Sequence, residues 1–131
     1  MSVDSAGLRV LTSSECFDRL GEVTVGRVAV SHRALPMILP VHFRLDEARR
    51  IRITTAPGST LHRATAGTVV AFEAEGPAGS VEPAWSVVLH GLATHPVPPE
   101  QPVTAADVLI AVDRISGRAV IDPAGRAVGW P

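Results

Sequence analysis

Leu35-Pro36-Met37-Ile38-Leu39-Pro40-Val41-His42-Phe43 decides the fold when read with two later blocks, Thr54-Thr55-Ala56-Pro57-Gly58-Ser59-Thr60-Leu61 and Trp85-Ser86-Val87-Val88-Leu89-His90-Gly91. Each is a strand or strand end rich in Val, Ile and Leu. Pro36 and Pro40 lie inside the first, whose strand is predicted over Leu35–Leu45. A proline donates nothing to a ladder, so this strand is expected at an edge or bulged near Pro40. Such a donor-poor strand end offers a docking place for a flat ligand. The second block bends through Pro57-Gly58-Ser59 into a short helix capped by Ser59, and a helix N-terminus suits a phosphate.

Outward from these blocks, Thr12-Ser13-Ser14-Glu15 reads as a helix start, with Leu11, Cys16, Phe17 and Leu20 as its apolar stripe and Gly21 as its stop. β-Branched residues predict a first strand over 24–30, joined by a turn over 31–34 to Leu35–Leu45. Arg50, Arg52 and Thr54 alternate with Ile51, Ile53 and Thr55, the period of a third strand. The helix begun by Ser59 runs to about residue 66 before Gly67, a fourth strand covers 68–74, and a Gly/Pro-rich loop over 75–83 leads to a fifth at Trp85–Thr94. Pro96, Pro98, Pro99 and Pro102 mark an extended connection. Thr104-Ala105-Ala106-Asp107 predicts a capped amphipathic helix to Val112, and 117–122 a sixth strand. The expected fold is therefore mainly β, a six-stranded barrel closed on itself with two or three short helices. Side chains fill so small a barrel, which leaves ligands a rim or a boundary between subunits.

The chain of 131 residues reads as one domain, 1–131, with its core over about 11–122 and a tail at 123–131. Hydrophobic residues make up 46% and net charge is −1, with basic residues scattered, so nucleic acid is excluded as a partner. No apolar run approaches the roughly 18 residues of a membrane span, and Met1-Ser2-Val3-Asp4-Ser5 has neither a basic n-region nor an apolar h-region, so a cytoplasmic location is expected. Cys16 is the sole cysteine. The 12 basic residues are all arginine, and the absence of lysine excludes Schiff-base chemistry. His32, His42, His62, His90 and His95 show no zinc-ligand spacing, so no metal site is expected. There is no Gly-x-Ser-x-Gly elbow. Glu73 and Glu75 share one strand face and read as a solvated edge.

In order and content the three blocks resemble the pyridoxamine 5'-phosphate oxidase-like family, over roughly 11–121. The resemblance implies a split β-barrel working as a homodimer, with FMN or a deazaflavin at the subunit boundary and a small-molecule substrate to oxidise or reduce. Carried onto this sequence, Thr55 and Ser59 would bond the cofactor phosphate, while Pro40, Val41 and His42 would lie along the isoalloxazine ring. Trp85 and Ser86 would reach towards a cofactor bound mainly by the other subunit. The family usually has a lysine or arginine where Thr60 stands, and often an arginine at the position of Thr54. Arg63, on the same helical face as Thr60, and Arg52 on the strand are the available replacements. His42 is the candidate catalytic group near the reactive ring. Two other readings stay open: a non-catalytic binding or sensing module with weakened flavin binding, and a haem protein using His42 or His62 as axial ligand.

Overall fold

The computed structural model describes residues 2–77, 84–96 and 105–121. Its elements are β1 (Arg9–Leu11), α1 (Ser13–Leu20), β2 (Val25–His32), β3 (Leu35–Leu45), β4 (Ile51–Thr55), α2 (Thr60–Ala64), β5 (Thr68–Gly76), β6 (Trp85–Thr94) and β7 (Ala106–Ala119). All pairings are antiparallel, in the order β1-β7-β4-β3-β2-β5-β6, and β6 also pairs with β7. That last ladder closes six strands, β2 to β7, into the expected ring; β1 is a seventh strand laid against the end of β7.

Period-two alternation explains the closure. Val28 and Val30 of β2, Val41 and Phe43 of β3, Ile51 and Ile53 of β4, Val70, Phe72 and Ala74 of β5, and Val87 and Leu89 of β6 all point inward and are buried. Phe43 and Phe72 meet edge to face at 4.7 Å across the interior. Each such side chain contributes roughly 1.5–3 kcal/mol by leaving water, so the filled interior is the main source of stability. Helix α1 plugs one end with Cys16 and Leu20. It starts where the sequence places it: Thr12 Oγ1 accepts the Glu15 amide while the Glu15 carboxylate accepts the Thr12 amide. Burial pushes the Cys16 thiol above its ordinary pKa, which makes it an inert packing group.

The hairpin from β2 to β3 turns on Arg33 and Ala34, both at positive φ as a two-residue connection of this hand requires. β3 is unbulged against β2 from Leu35 to His42, and pairs with β4 only from Phe43 to Leu45. Its prolines thus lie on an edge, one of the two expected arrangements.

Two expectations need correction. The helix predicted over 104–112 is strand: β7 runs 14 residues, pairing with β4 through Ala106 to Ile110 and with β6 through Leu109 to Ala119. The sixth strand predicted at 117–122 is only its far end. β1, three residues long, carries no sequence signal of its own. The loop over 78–83, the connection over 97–104 and the tail at 123–131 lie outside the described residues. Among the described residues no helix is long and apolar enough to cross a membrane.

The ring closes at a bulge. His90 pairs with Arg114 and Gly91 with Val112, leaving Asp113 as the extra residue. A Cβ on Gly91 would sit 1.8 Å from the Ala111 carbonyl oxygen, so only glycine fits. Gly91→Ala should therefore cost about 3 kcal/mol or more in urea unfolding, at the upper end of overpacking penalties.

Candidate functional site

The ladder between β3 and β4 stops at Phe43 and Ile53. Continued in register it would set His42 opposite Thr54 and Val41 opposite Thr55, but there the strands part while β4 stays paired with β7 to Thr55. The result is a cleft with the edge of β3 on one wall and the end of β4 on the other. The register thus leaves Pro40, Val41 and His42 on one side of this opening and Thr54 and Thr55 on the other, with no hydrogen bond between them among the described residues. Pro40 and His42 are exposed and Val41 is buried, as alternation demands. Pro40 also borders a hollow of about 210 Å³ with Val25, Gly26, Arg27, Ala74 and Glu75.

Beyond Thr55 the chain turns at Gly58, whose φ of +74° suits a glycine. The Thr55 and Ser59 hydroxyls lie 3.0 Å apart, and Ser59 Oγ also accepts the His62 amide. Only one of the two hydroxyl protons is spent between them, so the pair retains an O–H to donate outward. Ser59 is the N-cap, as expected, but α2 has only five residues and its first turn is partly committed. The Gly58 amide donates to His62 Nδ1 at 3.0 Å, and the Arg63 amide donates to the Ser59 carbonyl. What this turn offers a ligand is therefore side-chain hydroxyls more than the helix dipole expected from the sequence.

Strand alternation puts Thr54 on the opposite face of β4 from Thr55, together with Arg52. Both are held by Asp107, the cross-strand partner of Thr54: Arg52 Nη1 donates to Asp107 Oδ2 at 2.5 Å, and Thr54 Oγ1 donates to Asp107 Oδ1 at 2.9 Å. Asp107, read from sequence as a helix cap, is instead the counter-ion of one of the two arginines expected to replace the missing phosphate cation. Arg63 and Thr60 have no side-chain partner among the described residues, which leaves Arg63 as the cation available to the turn.

Sequence spacing also missed a histidine pair. The His62 and His95 rings stack at 4.1 Å. Thr65 Oγ1, fully buried, donates to the Leu61 carbonyl at 2.7 Å and so accepts from His95 Nε2 at 3.1 Å. His62 Nδ1 accepts the Gly58 amide, so its neutral form carries the proton on Nε2. The pair fastens the phosphate-like turn to the end of β6. Among the described residues no three His, Cys, Asp or Glu side chains gather as a metal site would require.

Trp85 and Ser86 do not join this cluster. They pair with Ala119 and Arg118, at the opposite end of β7 from Asp107. Trp85 is 1% exposed, packed over Gly76 with its indole N–H unpartnered among the described residues. It is a core side chain, not the rim contact the sequence reading makes it. Ser86 stays partly exposed.

A family model described as pyridoxamine 5'-phosphate oxidase matches residues 12–123. A protein of Mycobacterium tuberculosis, the uncharacterised Rv0080, is 38% identical over 95 residues; the match covers 70% of this chain and 62% of that protein's length. Among solved structures, an FAD-binding protein of Mycobacterium smegmatis superposes with a TM-score of 0.73 at 28% identity, over 86% of this chain and 98% of that one. An FAD-binding protein of Mesorhizobium loti superposes with a TM-score of 0.71 at 20% identity, over 88% and 98%, and shows the fold alone.

The histidine pair generates a pH prediction. Burial first, and then the charge of His62, hold His95 below its ordinary pKa of 6.5. Below 6.5 the unfolded chain takes up a proton that the folded chain refuses, so this contribution to stability is lost as pH falls through that value. Urea unfolding should show a loss of stability between about pH 7.5 and about pH 5.5 that is smaller in His95→Gln, which keeps an amide for Thr65 and cannot titrate. Equal losses in the two proteins would contradict the arrangement.

Proposed function

The chain belongs to the pyridoxamine 5'-phosphate oxidase family, and from that premise we propose that it binds a flavin in the β3–β4 cleft and serves as a flavin-dependent oxidoreductase. The observation that carries the reading is the parting of β3 from β4 with the Thr55–Ser59 hydroxyl pair at its mouth. A flat ring laid along the cleft meets the backbone edge of residues 40–42. The phosphoryl side chain of the flavin then falls towards Thr55, Ser59 and Thr60, with Arg63 as its cation.

The residues fit such a group in kind. Hydroxyls, a glycine turn and a guanidinium without a side-chain partner among the described residues suit a phosphate in kind, though less strongly than the family's usual lysine would. FMN is the cofactor of this reading and a deazaflavin its variant; FAD binding by the M. smegmatis neighbour supports a flavin in general. The flavin supplies hydride chemistry when bound, which accounts for the lack of a catalytic side-chain cluster. Exposed His42, at the edge of β3, is the candidate catalytic side chain of this reading. A non-catalytic binding module is the second reading, favoured by Thr60 standing where the family has a cation and by Arg52 being committed to Asp107. His62, one of two haem-ligand candidates, is already engaged by Gly58 and His95.

We further propose a homodimer. Ser86 and Thr55 attach to opposite ends of β7, which supports a cofactor that draws on two chains if it uses both residues. A suitable face exists on the outside of β2, β3, β5 and β6. There Ile38 and Val69 are 71% and 72% exposed around Ala29, Ala71 and Val88, with Leu92 beside them. Such a patch marks an interaction surface.

Two measurements test these readings. Titration followed by flavin fluorescence should give saturable binding that a Thr55→Val, Ser59→Ala variant weakens by about tenfold or more, the value of one or two hydrogen bonds to a charged group. Loss of the Ser59 cap costs about 1 kcal/mol of stability, so unfolding is measured alongside. Unchanged affinity places the phosphate elsewhere. Light scattering at micromolar concentration should give twice the chain mass, falling to one chain mass in Ile38→Asp; a monomeric parent protein refutes the dimer.

A further inference from the structure

Glu73 and Glu75 read from the sequence as a solvated edge, but β5 lies between β2 and β6, so both stand on a sheet face. The register maps that face. Pro40, Arg27, Glu73 and Val88 form one row across β3, β2, β5 and β6, and Ile38, Ala29, Ala71 and His90 form the next. Arg27 Nη1 donates to Glu73 Oε2 at 3.3 Å and to Glu75 Oε1 at 3.5 Å, so one guanidinium serves two carboxylates. Around this trio lie the exposed Val25, Ile38, Val69 and Leu92, with two hollows of about 220 Å³ and 210 Å³ that both border Arg27. One positive and two negative charges leave an uncompensated carboxylate within the apolar face.

A second copy of this chain suits the face in shape, because protruding side chains and hollows occur on it together and a two-fold axis sets one against the other. Charge opposes the fit. Two copies bring two such trios together and strip them of water, and unpaired charge is costly to bury. One proton per copy removes the excess, and Glu73 is the group placed to take it: its side chain is 27% exposed against 47% for Glu75. Burial first, and then the charge of Glu75, already hold Glu73 above its ordinary pKa of 4.5, against the pull of Arg27. We propose that the outer face of β2, β3, β5 and β6 is a proton-linked dimer interface, in which each copy docks with Glu73 protonated and Arg27 held by Glu75. This rests on the homodimer proposed above and adds its regulation. Burial in the interface raises the Glu73 pKa further, so the dimer holds protons that the separate chains release. Dimer affinity therefore rises as pH falls towards the carboxylate range. The other titratable groups on this face are His90 of β6, two residues from Val88, and His42 of β3, opposite Val25; Arg114 and Arg118 of β7 lie one strand further out.

The test is the dimer dissociation constant, from sedimentation of a dilution series between about pH 7.5 and about pH 5.5. In the parent protein it should fall by about tenfold or more over that range. Glu73→Gln is neutral at every pH, so it should form the tight dimer throughout and respond little to pH. Glu75→Gln removes the excess charge by a second route and should also tighten the dimer at the upper pH and flatten the profile, so it remains informative if Glu73→Gln fails to fold. A His42→Gln, His90→Gln variant should keep the profile of the parent. A parent dimer whose affinity ignores pH overturns this inference alone, as does a profile that both glutamate variants retain or that the histidine variant abolishes. A parent protein that is monomeric throughout overturns the homodimer, and this inference with it.

Discussion

The structure depends on β7 closing the ring. A single strand of 14 residues pairs with β4 at its start, β6 along most of its length and β1 at its end. An ideally regular strand would not close so small a barrel, because its inward face must follow the curvature of two neighbours lying in different directions. The extra residue at Asp113 supplies the bend, and Gly91 makes room for it by letting Ala111 approach without a Cβ in the way. Before the bulge the inward residues of β7 are Val108, Ile110 and Val112; after it they are Ile115, Gly117 and Ala119. The bulge shifts the alternation by one, so both halves of the strand face the same core.

The cleft follows from the same constraint. β4 is short, and all five of its residues pair with β7, whereas only three pair with β3. β3 must follow β2, its hairpin partner, over eight residues, and so diverges from β4 once Phe43 is passed. Pro40 stabilises the divergence from the other side, since it has no N–H to offer β4. Thus the opening beside Val41 and Thr55 arises from ring closure and one proline. Asp107 meets Arg52 and Thr54 because β7 begins beside the end of β4, so the strand that closes the barrel also sets the charge of the cleft's outer face.

Much of this was legible in the sequence, and the failures have identifiable causes. Strands of even alternation read correctly: β3 and β6 occupy the predicted residues, and α1 carries its predicted capping box. The first half of β7 reads as a helix because Thr104-Ala105-Ala106-Asp107 has the form of a capped start, with Val108 and Val112 four residues apart behind it. The β-branched run Val108, Ile110, Val112, Ile115 was the signal against a helix. β1 has no signal because three residues cannot show a period. The cluster of Pro40, Val41, His42, Thr54 and Thr55 was legible as separate blocks. The Asp107 ion pair and the His62–His95 stack were not, since each joins residues more than thirty positions apart through a register that only the closed ring defines.

Trp85 shows how the same segment serves two roles at different levels. Its side chain is locked in the core of its own chain, packed over Gly76, which accounts for a large aromatic residue at the first position of β6. Its neighbour Ser86 faces outward beside Glu75 and Arg118, at the end of the barrel away from the cleft. The Thr55 turn lies at the other end of β7, beside Ala106. The exposed Ile38, Val69 and Leu92 lie on the outer face of β2, β3, β5 and β6, between strands that carry both groups. Pairing through that face would hide apolar surface. The exposed apolar face is the observation on which the proposed dimer rests.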